Sequence, residues 1–263
     1  KTHTMEGSAA DEAAGIIPRT VDLVFAEVRK LQQQGWDFEV SATILEVYND
    51  AVRDVLSSGA SAAAQSEARS LAAEPQYTAR PVESPAAVKA LLRRAARERH
   101  VEATACNDRS SRSHAIVQLA VNGRERGGAR ELHGLLSLVD LAGSERVERS
   151  GATGDRLKEA QHINRSLSAL GDVIEALARR KQKGCAESHV PYRNSQLTKL
   201  LKDSLGGESK ALMFVNISPC LRHCAETLSS LRFASKVHAC NVGVARRHVA
   251  EAPAAKPAGN GRL

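Results

Sequence analysis

Two almost uninterrupted apolar runs limit the fold of this chain more than any other feature. They span residues 132–141 and 211–217, and both have the length of a strand. A strand that is apolar at consecutive positions is one that has both faces covered. Segments 38–48 and 115–121 also read as strands. Helical periods lie between 38–48 and 115–121 and between 132–141 and 211–217. The sequence therefore predicts an α/β domain in which helices cover both faces of a sheet.

Five segments have the apolar spacing of helices: 18–34, 85–99, 155–180, 195–205 and 224–239. Pro18 suits a helix start, and Gly35 follows the predicted end. In strand 38–48 the predicted inward face carries Val40, Ala42 and Ile44, with Val47 near it. Helix 85–99 should bury one face, with Val88, Leu91, Leu92 and Ala95, and expose the other, with Arg93, Arg94, Arg97 and Arg99. Helix 224–239 should pack on the core through Leu228, Leu231, Phe233 and Val237. Residues 57–74 read as a surface loop or a short irregular helix.

The charge of the chain predicts an acidic partner. The net charge is +7, and the isoelectric point is near 9.3. By charge alone, nucleic acid comes first and an acidic protein surface second. However, the basic residues are spread among acids, and aromatic residues are only 3% of the chain, so a stacking platform for single strands is not indicated. We therefore expect no nucleic acid partner.

Cysteine content and hydropathy exclude several other classes. The five cysteines are an odd number without framework spacing, which predicts a reduced intracellular protein. Cys220 and Cys224 lack a second pair at zinc spacing. No apolar run approaches the roughly 20 residues of a membrane span, and no signal peptide opens the chain, so a soluble protein without membrane insertion is expected.

Two polar segments beside predicted strands indicate phosphate chemistry. The segment DLAGSE, residues 140–145, directly follows a buried strand, where Asp140 could serve the magnesium side of a triphosphate and the N–H of Gly143 could approach a phosphate. Taken alone, it also fits an ordinary strand end with a turn. The segment NDRSSRSH, residues 107–114, gathers serine hydroxyls, an amide and two arginines directly before a strand. Such groups can ligate magnesium and a terminal phosphate, while Arg112 could pair with Glu145.

With the opening Lys1-Thr2, which has the residue types of the last two positions of a phosphate loop, these segments resemble the kinesin motor domain. Three further segments carry the resemblance: HINRSLSAL (162–170), VPYRNSQLTKLL (190–201) and LRFASKV (231–237). Myosins and small GTPases share the two-loop logic but lack these three. The resemblance implies a nucleotide-triphosphatase fold with a central, mostly parallel mixed sheet. Residues 1–247 would form the motor domain, and 248–263 a disordered tail rich in Ala, Pro and Gly.

The resemblance also implies an ATP and Mg²⁺ site. Lys1 would hold the β and γ phosphates, Thr2 would ligate magnesium, and Asp140 would reach the metal through water. Gly143 would sense the γ-phosphate. Glu145, bridged to Arg112, would accept the proton of the attacking water through a hydrogen-bonded relay. The first loop would close on the γ-phosphate and the metal through Asn107, Ser110 and Ser111. His114 and His162, which have no ligand set around them, are expected to be structural.

A second face is implied to bind the acidic surface of microtubules, made of αβ-tubulin. The helix carrying 162–170 would relay motion at Gly143 to this face. Its contact residues would be Tyr192, Arg193, Lys199 and Lys202, with Lys158 and Arg165 as weaker candidates. Without the resemblance, Lys199 and Lys202 would be taken for a solvated helix face. Residues 238–247 resemble the neck junction of C-terminal, minus-end-directed motors, so we expect movement toward the minus end. The resemblance also implies a protein of the cytoplasmic cytoskeleton, in some settings on the spindle, that dimerises through a coiled coil outside this chain.

The chief departure from the family is at the N-terminus. In the family, the first strands and the glycines of the phosphate loop precede the position of Lys1, and one of those strands is central to the sheet. Without it, backbone donors and apolar faces are exposed. The chain alone is therefore expected to be poorly stable and not to bind ATP. The alternative function is a non-hydrolysing microtubule-binding module that has lost its phosphate loop.

Overall fold

The computed structural model describes residues 1–7, 14–57, 76–102, 112–143, 154–182, 189–206, 209–240 and 249–251. Its helices are α1 (Thr2–Glu6), α2 (Ile16–Gln33), α3 (Pro85–Glu102), α4 (Asp155–Gln182), α5 (Gln196–Leu200), α6 (Lys202–Leu205) and α7 (Cys224–Ala239), with single 3₁₀ turns at Tyr192–Asn194 and Leu221–His223. Its strands are β1 (Trp36–Tyr48), β2 (Ala51–Asp54), β3 (Arg80–Pro81), β4 (His114–Glu125), β5 (Arg130–Asp140) and β6 (Val249–Glu251). No helix within the described ranges is both long enough and apolar enough to cross a membrane.

One sheet forms the centre of the fold, with the strand order β2-β1-β4-β5-β6 and β3 beside β1. The long ladder between β1 and β4 runs from Trp36 opposite Glu125 to Val47 opposite His114. The next ladder places Ala115 opposite Asp140, so the start of β4 and the end of β5 lie side by side. This register brings residues 112–114 and 140–143, the described parts of the two polar segments, to the same end of two neighbouring strands.

Helices cover both faces of the sheet, as predicted, because β1 is apolar on both sides. Val40, Ala42 and Ile44 are buried on one face, against α2 and α3. Leu45 and Val47 are buried on the other face, with side chains of α4, α5 and α7. The prediction that Val47 lies near the face of Val40 is therefore wrong, because an odd separation of seven residues along a strand reverses the side.

Local signals account for the helices that lie on the first face. The apolar positions Val21, Phe25 and Val28 of α2 recur at helical spacing and are buried. This helix ends before Gly35, whose φ of 91° is a conformation that favours glycine. Helix α3 begins after Ser84, whose hydroxyl oxygen accepts a hydrogen bond from the N–H of Ala87 at 3.2 Å. Both helices occupy the segments in which the sequence predicted them, and α3 exposes Arg93, Arg94 and Arg97 as expected.

The sheet differs from the prediction in direction and extent. All ladders among the described residues are antiparallel, whereas the resemblance implied a mostly parallel mixed sheet. The expected strand at 211–217 is also wrong, because that segment has no strand assignment, and Leu212 is 80% exposed there. Among the described residues, the far edge of β5 beyond Leu132 has no strand partner, and segment 211–217 does not pair with it.

The C-terminal part of the chain also differs in detail. Helix α7 has the predicted bounds, and its Phe233 and Val237 pack on the core, but Leu228 and Leu231 are exposed. Predicted helix 195–205 is divided at Leu201 into α5 and α6. The short strand β6 pairs with the start of β5, within the segment predicted to be a tail. The predicted loop at 57–74 and most of the predicted tail lie outside the described residues.

Candidate functional site

Lys1, Thr2 and Asp140 lie together at the end of β5. Asp140 is only 6% exposed, and its Oδ2 accepts a hydrogen bond of 2.8 Å from the hydroxyl of Thr2. The ammonium of Lys1 donates to the carbonyl oxygen of Ala142 at 3.1 Å. Residues separated by about 140 positions in the sequence are thus joined by two polar contacts. The structure brings together the lysine, the hydroxyl and the carboxylate that the sequence assigned to one phosphate and metal site.

The donor set at this point fits magnesium. The ion prefers oxygen ligands and keeps several water molecules and substrate phosphates in its shell, so a single hydroxyl and one carboxylate are a sufficient protein contribution. The hydroxyl oxygen of Thr2 could ligate the ion while its proton is donated to Oδ2 of Asp140 at 2.8 Å, and Asp140 could reach the ion through a water molecule. No group of three His, Cys, Asp or Glu side chains at metal-binding distance occurs in the described part of the chain. Chemically, this corner suits an ion bound jointly by protein and phosphate.

His114 is more central to this site than its sequence position suggested. The ring is 2% exposed, its Nδ1 accepts a hydrogen bond from the N–H of Ala142 at 3.1 Å, and its Nε2 lies 2.8 Å from the hydroxyl oxygen of Ser166. The Ser166 hydroxyl donates to the carbonyl oxygen of Ile163 at 2.8 Å, so the Nε2–H of His114 donates to Ser166. Burial, and secondarily the positive charge of Lys1, lower the pKa of His114 from 6.5 to about 4. The neutral ring therefore joins the end of β5 to helix α4.

These contacts also define the surroundings of Gly143. The peptide group of Ala142 is held from two sides, because Lys1 binds its carbonyl oxygen and His114 binds its N–H. Gly143 follows directly and is half-buried. A small displacement at Gly143 would thus act first on the Ala142 peptide and then on His114. Sequence analysis expected a structural role for His114 and missed this connection to α4, since nothing in the sequence shows that Ser166 faces it.

Arg112 binds a carboxylate on α4. Its Nη1 donates to Oε2 of Glu159 at 2.7 Å, and the hydroxyl of Tyr48 donates to Oε1 of the same carboxylate. The predicted partner Glu145 lies outside the described residues, as do Asn107, Ser110 and Ser111. Sequence analysis missed both Glu159 and Tyr48. The only available signal was that Tyr48 is the last residue of a predicted strand and that Glu159 lies in the predicted relay helix.

The residues predicted to bind microtubules are mostly accessible. Five of them are cations with exposed side chains: Arg193, Lys199, Lys202, Lys158 and Arg165. Tyr192 is half-buried, and burial raises the pKa of its phenol. Helix α5, which carries Lys199, begins at Ser195, whose hydroxyl oxygen accepts a hydrogen bond from the N–H of Thr198. A second cap comes from the β1–β2 turn, where Asp50 accepts a hydrogen bond of 2.8 Å from the N–H of Gln196. Lys199 is thus presented on a short helix that is fixed from the sheet, whereas Lys158 and Arg165 lie on the long helix α4.

Comparison with known proteins gives a family match for most of the chain. The family described as Kinesin motor domain matches residues 1–240. Kinesin-like protein KIN-14M of Arabidopsis thaliana is 45% identical over 96% of this chain and 35% of its own length. Carboxy-terminal kinesin 2 of Xenopus laevis is 45% identical over 94% of this chain and 39% of its own length. The chain thus spans little more than a third of these curated relatives. A solved structure, a KIF14 dimer with AMP-PNP in complex with a microtubule, has a TM-score of 0.76 and 32% identity over 94% of this chain and 69% of the other.

Proposed function

The chain belongs to the kinesin motor-domain family, and we propose that the protein containing it is an ATP-hydrolysing, minus-end-directed microtubule motor. The observation that carries this proposal is the joining of Lys1 and Thr2 to the end of β5, at Ala142 and Asp140. A protein that only binds microtubules has no need of a lysine, a hydroxyl and a carboxylate assembled beside Gly143. This assembly is what phosphate chemistry requires.

In this proposal the protein acts by positioning rather than by covalent chemistry. The ammonium of Lys1 would bind the β and γ phosphates, and Thr2 and Asp140 would hold magnesium, Asp140 through water. Magnesium, when bound, neutralises charge on the phosphates. Asn107, Ser110 and Ser111 would close on the γ-phosphate. The N–H of Gly143 would donate to the γ-phosphate, and Glu145, bridged to Arg112, would accept the proton of the attacking water through a hydrogen-bonded relay.

Coupling to the track would pass through α4. The buried ring of His114 is bonded to both Ala142 and Ser166, which supports a mechanical connection from the γ-phosphate position to this helix. Acidic tubulin would be bound by Tyr192 and by five exposed cations: Lys158, Arg165, Arg193, Lys199 and Lys202. The net charge of +7 is consistent with that partner. The protein would accordingly act in the cytoplasmic cytoskeleton, on the spindle in some settings, as a dimer joined by a coiled coil elsewhere in its sequence.

The test is microtubule-stimulated ATPase activity of the complete protein, including any residues encoded before Lys1. We expect Glu145→Ala to abolish hydrolysis while microtubule binding persists. Thr2→Ala should increase several-fold the Mg²⁺ concentration needed for half-maximal activity. Thr4→Ala is the matched control, because Thr4 lies on the same short helix but its hydroxyl donates to Asn216, at 3.3 Å, instead of to Asp140. A complete protein that binds microtubules and hydrolyses no ATP would support the alternative, a static microtubule-binding module.

A further inference from the structure

The carboxylate of Glu159 gathers hydrogen bonds from two separate parts of the fold. One oxygen accepts from the guanidinium of Arg112 at 2.7 Å, and the other accepts from the hydroxyl of Tyr48. Tyr48 is the last residue of β1, which is a central strand of the sheet. Glu159 lies on the second turn of α4, and Arg112 lies two residues before β4. The arrangement thus fixes Arg112 to the helix and the helix to the sheet.

Burial makes this ion pair stronger than an ordinary surface pair. The side chains of Arg112 and Glu159 are 26% and 13% exposed, so water screens them only partly. A guanidinium–carboxylate hydrogen bond of 2.7 Å is at the short end of the range for charge-assisted bonds. The Tyr48 hydroxyl satisfies the remaining carboxylate oxygen and limits its rotation. Arg112 is therefore held in one place and has to break a directional bond to leave it.

We propose that Glu159 is a positioning residue that restrains Arg112 on α4 and so suppresses ATP hydrolysis until the track moves the helix. The inference rests on the proposed function, which pairs Arg112 with Glu145 beside the reacting phosphate, a partner that Arg112 cannot reach while it is held on Glu159. A guanidinium bound to Glu159 is restrained by the position of α4. Exposed Lys158 and Arg165 lie on this same helix, so binding of acidic tubulin there can shift α4 and release Arg112. Microtubule stimulation then includes the removal of a restraint as well as the relay through Gly143.

A coupling free energy between two sites of one protein typically changes an equilibrium constant by about fivefold or more. Since this pair is only half-buried, we expect the low end of that range. Glu159→Gln keeps an oxygen that can accept from Tyr48 but removes the charge that holds Arg112. ATPase activity without microtubules should therefore rise about fivefold, while kcat at saturating microtubules stays within twofold of the wild type. Tyr48→Phe removes only the orienting hydroxyl and should raise the basal rate in the same direction by a smaller factor.

Glu175→Gln is the matched control. Glu175 is also an ion-paired carboxylate on α4, but its partners are Arg179 and Lys236, so this change does not release Arg112. Its basal rate should equal that of the wild type. Damage to the fold would lower the basal and the stimulated rates together, and cannot produce a selective rise in the basal rate.

The outcomes separate the two proposals. An active wild type whose Glu159→Gln variant has an unchanged or lower basal rate overturns the restraint and leaves the proposed function intact. A rise that Glu175→Gln reproduces also overturns it, because the effect would then be a general property of charge on α4. A wild-type protein that hydrolyses no ATP, with or without microtubules, removes the proposed function and this inference with it. A selective basal rise in Glu159→Gln and Tyr48→Phe supports the restraint.

Discussion

Acidification should weaken the fold through His114, and the hydrogen bonds of the ring determine the direction of the effect. Nδ1 accepts from the N–H of Ala142, and Nε2–H donates to Ser166, so the ring is bound as the neutral tautomer. A proton added to Nδ1 would face the Ala142 N–H, with no water available to a ring that is 2% exposed. The folded state therefore resists protonation of this residue.

The size of the effect follows from the difference between the pKa of His114 in the folded protein and in the unfolded chain. The pKa of His114 falls from 6.5 to about 4 in the folded protein. Below pH 6.5 the unfolded chain binds a proton that the folded chain rejects, so the free energy of unfolding falls as the pH falls from 6.5 to about 4. The contribution is fully present above pH 6.5. At ~1.4 kcal/mol per unit of pKa difference, the loss across this window is about 3 kcal/mol.

Denaturant unfolding of the wild type and of His114→Asn, followed in parallel across this pH range, isolates the effect. The asparagine amide oxygen can still accept a hydrogen bond in the position of Nδ1, but it does not titrate. The carboxylates titrate in both proteins, so their contributions cancel in the difference between the two unfolding free energies. This difference should decrease by about 3 kcal/mol as the pH is lowered, most steeply midway between the two pKa values, at about pH 5. The imidazole resonances in NMR spectra give the pKa directly.

A difference that does not change with pH would contradict this reasoning, as would an imidazole pKa near 6.5 in the folded protein. Either result would mean that water reaches the ring. Ser166→Ala provides an internal check. It removes the acceptor for Nε2–H but leaves the Ala142 bond, so it should weaken the fold at neutral pH and retain most of the pH dependence.

Two further predictions concern the framework around the site. A Cβ at Gly123 would lie 2.4 Å from the ring of Phe38, so Gly123→Val should destabilise the fold by about 1–3 kcal/mol in thermal unfolding. The double variant with Phe38→Ala should lose clearly less stability than the sum of the losses in the two single variants. Asp50→Ala removes the carboxylate that accepts from the N–H of Gln196, so it should cost about 1 kcal/mol of stability and speed hydrogen exchange at the start of α5. Equal exchange rates in the variant and the wild type would show that Ser195 alone caps this helix.

The sequence was sufficient to predict the long helices and the three long strands, β1, β4 and β5, because their signals are local. Helix α2 has its apolar residues at helical spacing and a glycine at its end, and β1 alternates apolar and polar residues from Phe38 to Ile44. The direction of the strands and the failure of segment 211–217 to pair were not predictable in this way. Pairing is a property of two segments, and an apolar run such as 211–217 forms a strand only when another strand lies beside it.

For the candidate site, residue types and their order were enough to group Lys1, Thr2 and Asp140, since a buried strand that ends in Asp has a recognisable pattern. The side chains that connect this site to α4 were not recognisable. Glu159 and Ser166 are ordinary polar residues of an amphipathic helix, and Tyr48 is an ordinary strand end. Their significance depends on which face α4 turns toward the sheet. That face is decided by long-range packing of residues such as Leu170 and Ile174 against Leu45 and Ile116.

Two contacts with α4 originate within three residues of one another, and together they restrict the helix more than either does alone. Arg112 binds Glu159, and His114 binds Ser166. Glu159 and Ser166 are seven residues apart, which is about two helical turns and roughly 10 Å along one face. A helix held at one point can pivot about it, whereas a helix held at two points on one face cannot turn about its axis or slide without breaking a bond. The ionic contact is the more exposed of the two, so it should break first, and the buried neutral contact of His114 then becomes the pivot about which α4 turns.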